Sequence, residues 1–191
     1  LELAEELEAC TCVNILGTKQ TDTWFGADGA CYSESFFEEA VAVSQRIIDA
    51  VKPVKTKLSF EMMPYHFLDS PQEYLRFLKA VDRNAAGVHL DICNTMNHPR
   101  RFYANGEFIR ETFGLLKEKI VTMHLKDIAL RTDELTVMFD EVLLGTGGMD
   151  YPVLMEEIAK LPADIPAMLE HLETEEEYDK AAQAAIGFAE G

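Results

Sequence analysis

Short apolar runs alternate along this chain with longer stretches in which apolar residues recur every three or four positions. The short runs predict five β-strands, over residues 10–16, 57–61, 87–91, 120–124 and 167–170. The longer stretches predict amphipathic helices, because such a spacing places side chains on one face of a helix. They cover residues 33–51, 72–81, 106–119 and 175–189, with one more helix after residue 150 and the end of another over residues 1–9.

Strands that alternate with helices in this way form parallel sheets, in which right-handed crossovers connect neighbouring strands. A complete (β/α)8 barrel takes about 250 residues and seldom fewer than about 200, whereas this chain has 191 residues. We therefore predict an α/β fold that holds the C-terminal five βα units, strands 4–8, of a (β/α)8 TIM barrel. Residues 1–191 would form a single barrel domain whose N-terminal units are missing. A complete open α/β sheet is the alternative, although its unpaired edges are a feature that proteins avoid.

Four acidic or imidazole residues each stand at the C-terminal end of one apolar run. They are Glu61, Asp91, His124 and Glu170, which lie 30, 33 and 46 residues apart. These intervals match the length of a strand–helix unit, so parallel strands would bring all four to the end of the barrel where active sites lie. Three carboxylates and one imidazole suit Mn²⁺, Mg²⁺ or Co²⁺, whereas zinc sites more often use His and Cys. The pattern predicts a divalent-metal enzyme; for any single member, a strand-end acid bonded to a loop is the alternative.

The alternation of side chains along a strand places two more polar residues on the same side as these ligands. His89 shares the parity of Asp91, and Lys126 shares that of His124. We interpret His89 either as a pocket residue that orients a ligand carboxylate or as a buried core histidine. Lys126 either binds a substrate oxygen, carboxylate or phosphate, or pairs with Asp127 or another acid nearby.

Two further histidines follow predicted ligands. His66 lies in the loop after the strand that ends at Glu61. It is interpreted either as a substrate contact or as a plain surface residue. His171 comes directly after Glu170, and strand alternation points its side chain away from the site. We therefore leave His171 out of the predicted site.

Composition narrows the classes of function. The chain has 34 acidic and 17 basic residues and a formal net charge of −17, whereas nucleic-acid binding draws on Lys and Arg. No apolar stretch reaches the roughly 18 residues of a membrane span, and no cleavable signal segment opens the chain. We therefore predict a cytoplasmic protein without nucleic-acid or membrane partners. The four cysteines form no CxxC pair, which favours free thiols.

Five sequence motifs resemble the xylose isomerase-like barrel superfamily of sugar-phosphate isomerases and epimerases, and they occur in the order found in that family. They are Phe60-Glu-Met-Met-Pro64, Leu90-Asp-Ile-Cys-Asn94, Met123-His-Leu-Lys-Asp127, Leu144-Gly-Thr-Gly-Gly-Met-Asp-Tyr-Pro152 and Leu169-Glu170. The resemblance covers nearly the whole chain, from the fourth strand to the eighth helix of that fold. It also implies that Asp150 caps the helix that follows it.

The resemblance implies roles for the strand-end residues. Glu61, Asp91, His124 and Glu170 correspond to the four ligands of one divalent metal ion, for which Mn²⁺ is expected ahead of Mg²⁺, Co²⁺ or Zn²⁺. Glu61 and Glu170 also correspond to the catalytic acid and base of the epimerase branch. The implied activity is isomerisation or epimerisation of a ketose, or of a related carbonyl sugar, by proton transfer through an enediolate. Relatives are often dimers or tetramers, so a homo-oligomer is expected.

One position departs from the pattern of many relatives. Three residues after Asp91 they carry a substrate-binding histidine, and this chain carries Asn94. An amide donates and accepts hydrogen bonds but does not transfer protons, so the difference is expected to change the substrate rather than abolish the site. Asn94, Lys126, His89 and His66 form the predicted substrate-binding set.

Three other functions compete with this one. The first is a dehydratase of the same fold that acts on a keto-inositol (an inosose), in which loss of a hydroxyl follows proton abstraction. The second is an endonuclease acting on abasic DNA, which is disfavoured by the net charge and by Asn94, since such enzymes need more histidines. The third is a catalytically silent barrel that acts as a binding module.

Overall fold

The computed structural model describes residues 1–191, and its strands and helices alternate as predicted. The strands are β1 (Thr11–Asn14), β2 (Lys57–Glu61), β3 (Ala86–Leu90), β4 (Ile120–Leu125), β5 (Asp127–Leu130), β6 (Phe139–Val142) and β7 (Ala167–Leu169). The helices are α1 (Glu2–Glu6), α2 (Glu34–Val51), α3 (Pro71–Val81), α4 (Pro99–Tyr103), α5 (Asn105–Leu116), α6 (Tyr151–Ile158) and α7 (Glu175–Glu190). No helix is both long and apolar enough to cross a membrane.

The chain divides into two compact units that share β4. The first unit comprises Leu1–Leu90 and Glu118–Thr122, and the second comprises Asp91–Lys117 and Met123–Gly191. In the first unit β1, β2 and β3 are adjacent and parallel. In the second, the end of β4 pairs in parallel with β7, and β5 and β6 form a separate antiparallel pair. Parallel strands joined by helices are the arrangement predicted for part of a (β/α)8 barrel.

Helix starts follow the local sequence. The side chain of Ser33 accepts a hydrogen bond from the N–H of Phe36 at the start of α2. Ser70 does the same for Glu73 at the start of α3, where Pro71 fills the first position. These two serine caps and the cap formed by Asp150 on α6 confirm the predicted starts, because such side chains satisfy N–H groups that lack a partner in the first turn.

The first unit buries an aromatic core between its helices and strands. Phe60 on β2 lies edge-to-face against Phe77 on α3, with ring centroids 5.0 Å apart. Phe37 on α2 contacts Phe67 at the same distance, and Phe67 also contacts Phe77. Edge-to-face pairs of this kind add to the free energy gained by burial, and they hold the loop after β2 against both helices.

Two segments differ from the sequence predictions. The helix expected over residues 106–119 is α5, which ends at Leu116 and is followed by a 3-10 turn over Lys117–Lys119. The short helix α4 precedes it, where no helix was predicted; it begins there because His98 caps the N–H of Arg100 and Pro99 occupies the first position. The irregular stretch expected before the glycine-rich segment contains the β5–β6 hairpin.

Candidate metal centre

Three of the four predicted ligands come together at strand ends in the second unit. Asp91 is the first residue after β3, His124 is the penultimate residue of β4, and Glu170 is the first residue after β7. Each offers one ligand atom, and these atoms lie within 4.8 Å of one another. The β4–β7 register, which pairs His124 with Met168, brings the ends of the two strands together. Parallel strands therefore converge their C-terminal polar residues, as the spacing predicted.

The imidazole of His124 lies between the two carboxylates. Its Nδ1 is 3.3 Å from Oδ2 of Asp91 and 2.8 Å from Oε1 of Glu170. Asp91 is 1% exposed, and its other oxygen, Oδ1, accepts a hydrogen bond of 3.0 Å from the backbone N–H of Asn94. This bond holds the Asp91 carboxylate toward the imidazole.

A buried lysine shares these carboxylates. The Nζ of Lys126 is 2.8 Å from Oδ2 of Asp91 and also contacts Oε1 of Glu170. A longer contact of 3.5 Å joins Nζ to Oδ1 of Asn94. Of the partners considered from the sequence, Lys126 pairs with nearby acids of the cluster rather than with Asp127.

The charges shift the pKa values of the cluster. Burial opposes ionisation of Asp91 and Glu170, but the nearby imidazole of His124 and the charge of Lys126 outweigh it, so the Asp91 pKa falls and the Glu170 pKa falls to about 2. Burial would also lower the pKa of His124, yet its two carboxylate partners raise that pKa to about 9. For Lys126, burial lowers the pKa and the charge of Asp91 raises it, with a net rise. The lowered pKa values keep both carboxylates ionised, and ionised carboxylates favour bound cations.

The donor set fits a hard divalent cation. Oε1 of Glu170 is buried and makes no well-directed hydrogen bond, although it contacts the imidazole and the ammonium. A buried carboxylate oxygen is costly unless donors or cations lie against it, and a bound metal ion would add such a partner. Carboxylate oxygens with one imidazole nitrogen are ligands suited to Mn²⁺, Mg²⁺ or Co²⁺. Asp91, His124 and Glu170 therefore qualify as three ligands of one ion.

The other two strand-associated predictions, Glu61 and His89, lie in the first unit. Glu61 is the last residue of β2, is 9% exposed, and is in register with His89 on β3. His89 is fully buried, and its Nδ1 is 2.7 Å from Oγ1 of Thr122. Thr122 has the same parity as His124 on β4, and the contact between His89 and Thr122 agrees with the side of the strand predicted for His89. The functional roles of Glu61 and His89 stay predictions.

His66 is a core residue rather than a surface one. It is 1% exposed, its Nδ1 accepts a hydrogen bond of 3.2 Å from the N–H of Leu68, and its Nε2 has no hydrogen-bond partner. Burial lowers the pKa of His66 from the ordinary 6.5 to about 4. The histidine is therefore neutral in the folded protein, and its role as a substrate contact stays a prediction.

This burial predicts a pH dependence of stability. Between pH 6.5 and pH 4 the unfolded chain takes up a proton at His66 that the folded chain does not, because the folded pKa is about 4. The contribution is fully present above pH 6.5 and is lost as the pH falls to 4, which amounts to about 3 kcal/mol. His66→Asn removes this titration and keeps an acceptor for the N–H of Leu68.

Urea unfolding at pH 7 and pH 4.5 measures the effect. His66→Asn is expected to lose less free energy of unfolding on acidification than the wild-type protein loses. His98→Asn is the matched control, since His98 is exposed and an asparagine there still caps α4. Equal acid sensitivity of wild type and His66→Asn would contradict the prediction.

Sequence reasoning missed a buried acid, Asp127, that orders the glycine-rich loop over residues 145–149. Asp127, 2% exposed, accepts hydrogen bonds of 2.8–3.1 Å from four backbone N–H groups, those of Ile128, Gly145, Gly147 and Met149. The loop approaches so closely that a Cβ at Gly147 would lie 2.2 Å from Oδ1 of Asp127. One signal in the sequence could have found it. Asp127 has the parity of the apolar residues Met123 and Leu125 rather than that of His124, and a glycine-rich segment follows further along the chain.

The side chain of His171 does not point away from Glu170 as strand alternation predicted. His171 has a left-handed backbone, with φ of 59°, so strand alternation does not apply to it. Its Nδ1 lies 2.9 Å from Oε2 of Glu141 on β6, and its Nε2 lies 3.7 Å from Oε2 of Glu170. His171 therefore lies beside Glu170, with its side chain 59% exposed.

One known protein shares part of this sequence. The chain is 28% identical over 136 residues to 3-oxo-isoapionate decarboxylase from Pectobacterium atrosepticum, an alignment that covers 70% of this chain and 46% of the relative. The chain thus spans about half the length of the curated relative it matches.

Solved structures share its fold. A xylose isomerase-like TIM barrel protein from Mycobacterium smegmatis, in complex with magnesium, superposes with a TM-score of 0.67 and 18% identity, over 99% of this chain and 63% of that one. D-allulose 3-epimerase from Methylomonas sp. superposes with a TM-score of 0.63 and 18% identity, over 86% of this chain and 58% of that one. At these identities the similarity concerns the fold, which is that of part of a TIM barrel.

Family membership rests on the sequence as a whole. The family model described as xylose isomerase-like TIM barrel matches residues 1–189. This match confirms the resemblance drawn from the five motifs and agrees with the parallel strands and the solved structures. The chain belongs to the xylose isomerase-like TIM barrel family.

Proposed function

We propose that this chain belongs to a divalent-metal-dependent enzyme that moves a proton beside the carbonyl group of a small sugar or sugar-derived substrate. The observation that carries the proposal is the convergence of Asp91, His124 and Glu170 at three strand ends, within 4.8 Å of one another. The outcome proposed first is isomerisation or epimerisation of a ketose. An epimerase among the proteins of similar fold supports this choice.

We assign four ligands to one ion. Asp91, His124 and Glu170 supply three of them, and Glu61 is proposed as the fourth because it too ends a parallel strand and is buried. Mn²⁺ is the ion proposed first, with Mg²⁺ next, since a relative of this fold was solved with magnesium. When bound, a dication stabilises negative charge that develops on substrate oxygens.

The two glutamates are the proposed catalytic residues. Glu170 removes the proton from the carbon beside the carbonyl, which leaves an enediolate and a protonated Glu170, and Glu61, protonated from solvent for this step, delivers a proton to the enediolate and returns to the carboxylate. Delivery to the opposite face of the same carbon epimerises the sugar, and delivery to the neighbouring carbon isomerises it. Asn94 and Lys126, which lie beside Asp91, are proposed to bind substrate oxygens, together with His89 and His66.

Decarboxylation is the second candidate. A relative that is 28% identical over 136 residues is a 3-oxo-isoapionate decarboxylase. Loss of CO₂ from a 3-oxo acid leaves an electron pair on carbon that must be delocalised into the neighbouring carbonyl, so it needs the same stabilisation of an enolate. The same side chains would then supply the proton that replaces CO₂.

Solvent deuterium exchange tests the proposal. The chain is loaded with Mn²⁺ in deuterated buffer and incubated with 2-ketopentoses, 2-ketohexoses and 3-oxo sugar acids. The expected result is deuterium at the carbon beside the carbonyl of one substrate class, lost when a chelator removes the metal. Mass spectrometry separates the outcomes, because a decarboxylase also removes CO₂ and a dehydratase removes water. No exchange with any class, in protein that retains Mn²⁺, would overturn the proposed function.

A further inference from the structure

The ammonium of Lys126 is a buried charge inside the metal cluster. Its side chain is 1% exposed, and it lies against the same oxygens of Asp91 and Glu170 that face His124. Burying a charge is costly unless it is well paired. A cation beside a divalent metal site also repels the metal. Lys126 therefore lowers the affinity of the site for the divalent ion that the surrounding residues suit. A buried lysine at this position calls for a functional reason.

The backbone at Lys126 is held in place from two sides. Its carbonyl oxygen accepts hydrogen bonds from Oη of Tyr151, at 2.7 Å, and from Sγ of Cys93, at 3.0 Å. The next residue, Asp127, ties four backbone N–H groups of the loop to this point. These contacts direct the side chain of Lys126 into the cluster and keep it there, as a binding group requires.

The ammonium retains binding capacity. It has three N–H donors, of which two are directed at Asp91 and Glu170. The third has only the contact of 3.5 Å with Oδ1 of Asn94, which is long for a hydrogen bond. A metal ion that draws on the carboxylate oxygens would weaken the first two contacts as well. The donors of Lys126 are then available to an anion in the site.

The charge balance sets the class of that anion. Three ligand carboxylates, one dication and Lys126 sum to zero, whereas the same site without Lys126 would carry one negative charge. Lys126 thus makes room for one more negative charge. A single ammonium matches the single charge of a carboxylate, whereas a phosphate carries up to two charges and more oxygens, which several donors together satisfy.

We propose that Lys126 binds a carboxylate group of the substrate, so that the site acts on oxo sugar acids rather than on neutral ketoses. This inference rests on the proposed metal-dependent proton transfer, and it replaces the neutral ketose with a carbonyl sugar that also carries a carboxylate. It agrees with the similarity to a decarboxylase whose name denotes an oxo acid. It also gives Lys126 a specificity role that is separate from proton transfer by Glu170.

Ligand binding to the Mn²⁺-loaded chain tests the inference. Titration calorimetry compares D-xylonate, a five-carbon hydroxy acid, with xylitol, its uncharged counterpart, for wild type, Lys126→Met and Lys126→Arg. Wild type is expected to prefer xylonate. Lys126→Met is expected to lose about 10–100-fold in xylonate affinity, the range for a hydrogen bond to a charged group, with xylitol affinity unchanged. Lys126→Arg is expected to keep part of the preference because it keeps the charge.

Metal binding distinguishes failure of the carboxylate inference from failure of the proposed function. Lys126→Met is expected to bind Mn²⁺ at least as tightly as wild type, because it removes a repelling charge, and this also shows that the variant is folded. A wild type without preference for xylonate, or a preference that Lys126→Met leaves intact, would overturn the carboxylate inference alone, since chelation by the metal would then explain it. Failure of wild type to bind Mn²⁺ would overturn the proposed function itself.

Discussion

Replacing Glu170 with glutamine is expected to lower the rate of proton exchange at the substrate carbon by about 10²–10⁴-fold, the usual contribution of a general base. Glutamine keeps the size of the side chain and one oxygen, but it does not take up a proton. Weaker metal binding is also expected, since Oε1 of Glu170 lies in the ligand cluster. Deuterium exchange is therefore measured at saturating Mn²⁺, so that the proton-transfer defect is seen separately.

Glu173→Gln is the matched control. It makes the same chemical change three residues away, at an exposed side chain, and is expected to exchange at the wild-type rate. If Glu170→Gln also exchanged at the wild-type rate with its metal site full, Glu170 would not be the base. The assignment of the two glutamates would then have to be abandoned, although the metal site itself could stand.

Replacing Asp127 with alanine is expected to have the largest effect on stability, a loss of about 3–5 kcal/mol in the free energy of unfolding. The substitution leaves four backbone N–H groups without the acceptor they share. It also removes a carboxylate that is 2% exposed, so water does not readily replace it. Chemical denaturation measured by circular dichroism gives the change.

Two comparisons define the cause. Asp133→Ala removes an exposed acid from the same region and is expected to change stability by no more than about 0.5 kcal/mol. Asp127→Asn keeps an acceptor oxygen but places an NH₂ group against backbone donors, and an intermediate loss is expected. If Asp127→Ala unfolded at the same denaturant concentration as Asp133→Ala, the loop would not depend on these hydrogen bonds.

The alternation of strands and helices was predictable because each repeats a simple pattern. Apolar runs placed β2, β3, β4 and β7 within one or two residues of their ends. The convergence of Asp91, His124 and Glu170 followed, because parallel strands bring their C-terminal ends to one side. This part of the site depends only on periodicity and on the direction of the chain.

Other features depend on contacts that periodicity does not encode. Asp127 binds a loop that begins 18 residues further along the chain, and no local pattern specifies that distance. The β5–β6 hairpin is too short to show alternation above the background. His171 escaped the prediction because its left-handed backbone turns the side chain toward Glu170, and side-chain parity assumes an extended strand.

Lys126 shows most clearly which contacts a sequence pattern does not determine. Its parity with His124 placed it on the side of the predicted ligands, but two roles, substrate binding and pairing with a nearby acid, were equally compatible with the sequence. The structure pairs it with Asp91 and Glu170, and the choice comes from the β4–β7 register rather than from neighbouring residues. Register between strands far apart in sequence depends on the whole fold.

A crystal of the chain soaked with Mn²⁺ and measured at the manganese absorption edge tests the central claim most directly. The account predicts one strong anomalous peak per chain, bonded to Glu61, Asp91, His124 and Glu170. The expected distances from the peak to the ligand atoms are about 2.0–2.3 Å. A map without a peak at these residues, at saturating Mn²⁺, would contradict it.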